Sequence, residues 1–221
     1  MPGNTGTTEI AEHERQRRQL RRLEMLMDVM FALMLFRILA ALPMPSEEDG
    51  WTWELGVLLG LWTEIGPAFL MMIIGVVLIV IYWLQNNKLL GNLERTNGPH
   101  VSFSIGQIVF LMLYGYAMAT AVDFDSPTTR ALQSIALAGV GFCGFFGFRY
   151  AARERRLLSP SLSEREADAL KISVLPEPVA GLLTVPLAFF GTWAWELGWL
   201  VMLPFGSWLR RRHDARYLES Q

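Results

Sequence analysis

Residues 68–84 read AFLMMIIGVVLIVIYWL and carry no charged side chain. Runs of this kind recur at about 101–122, 129–152 and 174–209. A soluble domain of 221 residues does not need several apolar stretches of ~20 residues, whereas a bilayer crossed by helices requires them. Composition agrees: 52% of the residues are hydrophobic and only 18% are charged. The expected class is an all-α, multi-pass membrane protein. Cys143 is the one cysteine, so neither a disulfide framework nor a cysteine metal site is expected.

The expected organisation is a polar N-terminal arm at 1–22, transmembrane helices one to four within 23–152, a linker at 153–173, helices five and six within 174–209, and a basic tail at 210–221. The first span, about Leu23–Leu42, stops at Pro43 and Pro45. The second is long, running from about Trp53 to Leu90, with a Gly66-Pro67 kink. The C-terminal run between Glu177 and Arg210 is too long for one crossing of ~30 Å at ~1.5 Å per residue. It reads as two short spans that turn at Gly191, with Pro178 and Pro186 suiting a short or kinked fifth helix. The arm is polar, and Asp28 and Arg37 interrupt the apolar run behind it with no A-x-A site following, so a cleaved signal peptide is not expected.

Charge sets the expected orientation. Arginines 15, 17, 18, 21 and 22 precede the first span, and Lys88 and Arg95 lie between the second and third. Arg149, Arg153, Arg155, Arg156, Arg165 and Lys171 follow the fourth, and Arg210, Arg211, Arg212 and Arg216 follow the last. The alternate loops are acidic, with Glu47, Glu48 and Asp49, then Asp123 and Asp125. Six spans with both termini cytoplasmic place every basic segment inside, whereas five would put Arg210–Arg212 outside. The aromatics Trp51, Trp53, Tyr82, Trp83, Trp193, Trp195 and Trp208 are expected in interfacial belts. The arginine runs read as topology determinants that also meet anionic lipid heads, not as a nucleic-acid surface.

Catalytic chemistry finds no foothold. His13, His100 and His213 fall in terminal or loop segments, and the sequence contains no HExxH, no GxSxG and no phosphate-binding glycine loop. The glycine-rich GVGFCGFFGF, Gly139–Phe148, reads either as a close helix-packing surface or as ordinary glycines of a span. No cofactor is implied.

The first span holds the chemistry. Leu26, Met30, Leu33, Arg37 and Ala40 fall on one helical stripe, apolar except for Arg37. A charge at bilayer depth costs roughly 2.5–3.5 kcal/mol on insertion scales, so it faces water or a partner. Asp28 is expected to pair with an arginine or a polar side chain of a neighbouring helix. Three dispositions of Arg37 stay open: snorkelling to the outer headgroups, facing a water-filled vestibule, or pairing with Glu64 or Glu196.

Three stretches resemble the transmembrane protein 175 family, which includes bacterial and endolysosomal potassium channels. RLEMLMD, Arg22–Asp28, resembles that family's R-x-x-x-F-S-D opening of helix one. IYWLQNNKLLGNLERTNG, Ile81–Gly98, resembles its W-x-N-H-H-R-x-F close of helix two. LLTVPLAFFGTWAWELGWLVMLPFGSWLRRR, Leu182–Arg212, resembles its terminal helical hairpin. The resemblance implies a homotetramer of six-helix subunits whose first helices line a central pore narrowed by aliphatic rings, with no TVGYG-type filter. It places Arg22 and Asp28 in a polar network that ties helix one to its neighbours, together with Trp83 and the segment after it, and it puts the narrowing position on Leu33. Met30, Arg37 and Ala40 share the pore-lining stripe.

The departures are Leu26 and Met27 for the signature Phe and Ser, Asn86 and Asn87 for the His pair, and Lys88 for the Arg. Arg37 adds a further one, because arginine rings belong to anion pathways. The expectation is therefore a non-enzymatic ion channel of the inner (plasma) membrane, potassium-conducting by resemblance. Its partners are the bilayer, monovalent ions and its own copies. The alternatives are an anion-permeable channel of the same fold, or a non-conducting scaffold.

Overall fold

The computed structural model describes residues 5–40, 55–153, 155 and 157–201, with only the backbone described at 5–8, 55–71 and 122–123. Six helices are bounded within them: α1 Thr5–Ala40, α2 Leu55–Gly91, α3 Gly98–Asp123, α4 Pro127–Arg153, α5 Glu164–Ser173 and α6 Pro176–Leu187. Residues 192–201 are again helical. The Pro43–Pro45 stop, the acidic loop Glu47–Asp49, Trp51, Trp53, Trp208 and the basic tail lie outside the described residues, as does the side chain of Glu64.

Among the described residues four stretches are long and apolar enough to cross a membrane: Met72–Gly91, Gly98–Ala121, Pro127–Arg153 and Glu164–Leu187, the last combining α5 and α6. The apolar part of α1 stands apart from them because it carries Glu24, Asp28 and Arg37. The polar arm is not a separate element. It continues without a break into the first span, and the 36 residues of α1 reach about 54 Å at ~1.5 Å per residue. The backbone of α2 is likewise helical straight through Gly66-Pro67.

The core follows helical periodicity. Leu20, Leu23, Met27, Phe31, Met34 and Ile38 recur at spacings of three and four along α1, and all are buried against α2 and α3. Helix α4 is the central pillar, packed along α3 on one side and α6 on another. Its small residues permit close approach. A Cβ built on Gly139 would lie 2.4 Å from the Phe110 ring of α3, and one on Gly141 would lie 2.8 Å from two ring carbons of Pro178 at the start of α6. Of the two readings of the glycine run, the packing surface is therefore the one observed. The proline ring cannot rotate away, so a side chain at 141 must push the helices apart. We expect Gly141→Ala to cost about 1–3 kcal/mol of stability, while Gly91→Ala, where an added Cβ meets nothing within 4 Å, shifts it by less than about 0.5 kcal/mol. Equal thermal shifts for the two purified variants would contradict this account of the α4–α6 contact.

The polar linker contains a helix that its composition conceals. Ser163 and Glu166 form a reciprocal capping box at the start of α5: Glu166 N–H donates to Ser163 Oγ at 3.2 Å, and Ser163 N–H donates to Glu166 Oε2 at 2.9 Å. Upstream of it, the linker pairs with the α2–α3 connection. Glu94 N–H donates to the Leu157 carbonyl at 2.8 Å, and Ser159 N–H to the Asn92 carbonyl at 2.9 Å. At the other end of the bundle the chain turns after α6 at Gly191, whose φ of +117° disfavours any side chain.

Candidate functional site

Helix α1 is apolar on more than one side. Opposite and beside its buried ridge, Met25, Leu26, Val29, Leu33, Phe36 and Leu39 are exposed in the single chain, Leu33 by 55% and Phe36 by 68%. At 100° per residue, the stripe Leu26, Met30, Leu33, Arg37 and Ala40 lies along the flank of the core ridge nearer α3. Met25, Val29 and Phe36 stand opposite the core. Met30 is half-buried, and Leu26, Leu33, Arg37 and Ala40 are exposed. The stripe read from the sequence is thus one edge of a wider outward apolar arc.

Two charges interrupt the outward surface in different ways. Asp28 accepts a hydrogen bond from the Trp83 indole at 2.8 Å, which ties α1 to α2. This is a polar neighbour of the expected kind, an indole rather than an arginine. Arg37 lies on the opposite flank. A Cβ on Gly115 of α3 would sit 4.0 Å from Arg37 Cγ, so the aliphatic stem passes beside α3. Its guanidinium belongs to an exposed side chain. Glu196 sits elsewhere, buried within electrostatic reach of Asp125 and Arg130.

The other signature positions separate. Met27, in the place of a serine, is fully buried in the α1–α2–α3 core. Asn86 is also buried, while Arg22, Asn87 and Lys88 are exposed. The Lys88 carbonyl accepts from Asn92 at 2.7 Å, which closes the end of α2. The structure therefore joins Asp28 to Trp83 and leaves Arg22 on the surface of the arm. One turn before it, Arg17 pairs with Glu94 of the α2–α3 connection, with His13 at 3.7 Å from the same carboxylate.

A second polar cluster, at the far end of the bundle, was not read from the sequence. Arg130 on α4 is buried, with Nε 3.3 Å from Asp125 Oδ1 and 3.3 Å from the Ser126 carbonyl, and its guanidinium donates to Thr192 Oγ1. One turn deeper, Ser134 Oγ is hydrogen-bonded to Thr184 Oγ1 at 2.9 Å and accepts from the Trp195 indole at 2.8 Å. These contacts fasten the C-terminal hairpin to α4. They also correct the aromatic belt: Trp195 and Tyr82 are core residues, because their helix faces turn inward, while Trp193 is exposed as a belt residue would be. His100 is corrected too. It lies in the first turn of α3 rather than in a loop, buried and hydrogen-bonded at Nδ1 to Thr96 Oγ1 at 2.9 Å.

Among the described residues no group of three His, Cys, Asp or Glu side chains is placed to hold a metal ion.

No family model matches the sequence, and no curated protein matches it. A solved structure does. The crystal structure of a lysosomal potassium-selective channel TMEM175 homolog from Chamaesiphon minutus matches with a TM-score of 0.67 over 88% of this chain and 97% of that one, at 15% identity. At this identity the likeness is one of fold, and at that level it meets the resemblance carried by the sequence motifs.

Proposed function

We propose that this chain is a divergent member of the transmembrane protein 175 family and forms an ion channel in which α1 helices from four copies surround a common axis. The observation that carries the reading is the outward apolar arc of α1, on a fold shared with a potassium-selective channel. A helix packed on one side and apolar on the others needs lipid, another subunit or a pore against its remaining faces. In the tetramer, Leu33 forms a ring near mid-helix, and conduction depends on whether that ring is wet. Of the signature residues, Asp28 and Trp83 fasten α1 to α2, and the Arg17–Glu94 pair fastens the arm to the α2–α3 connection. The charge pattern supports both termini on the cytoplasmic side of the plasma membrane.

The permeant ion follows from which charge the axis meets. The shared fold favours potassium. Arg37, exposed on the same stripe as Leu33, favours a second reading in which anions pass. Reversal potentials of the purified protein in liposomes, under gradients of KCl, NaCl and potassium gluconate, separate the two. A reversal that follows potassium establishes a cation channel, and one that follows chloride an anion channel. No flux from either the wild type or Arg37→Ala, in a preparation shown to be tetrameric, would refute conduction. A monomer or dimer in mild detergent would count against the pore itself.

A further inference from the structure

The seam below Arg130 ends in a small space between α2, α3, α4 and the helix at 192–201. It offers about 10 Å³ to the centre of a water-sized sphere. Apolar side chains such as Ile74, Leu78 and Leu137 make up most of its wall, and three polar side chains join them: Tyr114, Gln133 and Trp199. All three are at least 98% buried. The Gln133 Oε1 and Trp199 Nε1 atoms are sealed from solvent and have no hydrogen-bond partner among the described residues. The Gln133 amide is not free to flip, because its Nε2 already donates to the Ala117 carbonyl at 3.4 Å. Its oxygen is therefore the atom left over. The Tyr114 hydroxyl lies 3.0 Å from where a Cβ on Gly75 would sit, and Gly75 lines the same space.

We propose that this space is a binding site for a single water molecule that bridges α3, α4 and the helix at 192–201. The volume is that of about one water, and a water needs two to four polar partners. The site supplies one acceptor, one donor and a hydroxyl that does both. This set selects the ligand. A monovalent cation would meet the indole hydrogen, and a halide would meet the amide oxygen. Only a small neutral molecule that donates and accepts satisfies both. In a bilayer no outside water competes for these groups, and each left unpaired carries the desolvation cost of a buried polar atom. The water thus completes the fastening of the C-terminal hairpin begun by Arg130–Thr192 and Trp195–Ser134.

The test combines a density map of the full-length protein in detergent or nanodisc, sharp enough to show ordered water, with thermal melts of Gln133→Leu, Trp199→Phe and the double variant. The expected map shows one peak within hydrogen-bond distance of Gln133 Oε1 and Trp199 Nε1. Both single variants melt below wild type, because each strands the other partner. The double variant melts no lower than the less stable single, because neither Gln133 Oε1 nor Trp199 Nε1 remains to be stranded. An empty space in the map, or a direct Trp199–Gln133 hydrogen bond, would overturn the proposal. So would single-variant losses that simply add in the double. Trp199→Phe keeps an aromatic ring in the core, so a failure to fold in Gln133→Leu alone leaves the map and the second single variant to decide.

Discussion

Replacing Arg130 by Met is expected to destabilise the protein by about 1–3 kcal/mol, the usual cost of leaving buried hydrogen-bond partners unsatisfied. The side chain is only 9% exposed, and it is the cation beside both Asp125 and the buried Glu196. Asp125 is 53% exposed, so water takes over when it is removed. Asp125→Asn should cost no more than about 1 kcal/mol. The asymmetry identifies the cause. When Arg130 goes, the Ser126 carbonyl and Thr192 lose their buried donor, and the buried Glu196 loses a nearby positive charge. When Asp125 goes, the guanidinium keeps Thr192 and the Ser126 carbonyl. Arg130→Met combined with Glu196→Gln should then recover part of the loss. Melting curves of the purified variants in one detergent decide the matter. Equal, small shifts for Arg130→Met and Asp125→Asn would show that the cluster lies in a wet environment and does not fasten the hairpin.

That cluster also shows why the sequence exposed some of this molecule and hid the rest. Helices α2, α3 and α4 were legible because long uncharged runs stop at Gly, Pro and charged residues, and a bilayer tolerates no other reading of such runs. The hairpin turn was legible for a local reason: Gly191 is the small residue in a long aromatic stretch, and it takes a φ of +117°. Arg130 was not legible. It stands beside an acidic loop, where a lone arginine carries no topological weight, and its partner Thr192 is 62 residues away. Helix α5 had a local signature, Ser163 followed three residues later by Glu166, but the surrounding charge made the segment read as a linker. Trp195 and Tyr82 were misplaced because a belt rule uses position along a helix and ignores rotation about it. Rotation is also what the α1 sequence withholds. The residues facing its core and those facing outward are equally apolar, so periodicity does not tell the two sides apart. Only the charges at Asp28 and Arg37 mark the edges, and only the bond to Trp83 shows where one of them goes.

Neutralising Arg37 is expected to raise potassium entry by about tenfold if the α1 stripe faces the channel axis. One charge at ~6 Å from an ion in water contributes roughly 0.7 kcal/mol, and four around an axis sum to about 3 kcal/mol before salt screening. At a Debye length of ~8 Å, screening removes about half of this and leaves about 1.3 kcal/mol, close to tenfold. Arg37→Ala should therefore move the reversal potential toward the potassium equilibrium value, and Arg37→Glu should move it further. The shifts should shrink as ionic strength rises. The Arg37 stem passes beside Gly115 of α3, which supplies the competing geometry: a guanidinium drawn along that flank leaves the axis uncharged. In that case both variants keep the wild-type reversal potential and single-channel conductance. Leu33→Asn then isolates the constriction, because a polar ring one turn away wets the pore whatever Arg37 does. Conductance that rises in Leu33→Asn and stays unchanged in both Arg37 variants would place Leu33 on the axis and Arg37 off it. No response from either position would remove the α1 stripe from the ion pathway altogether.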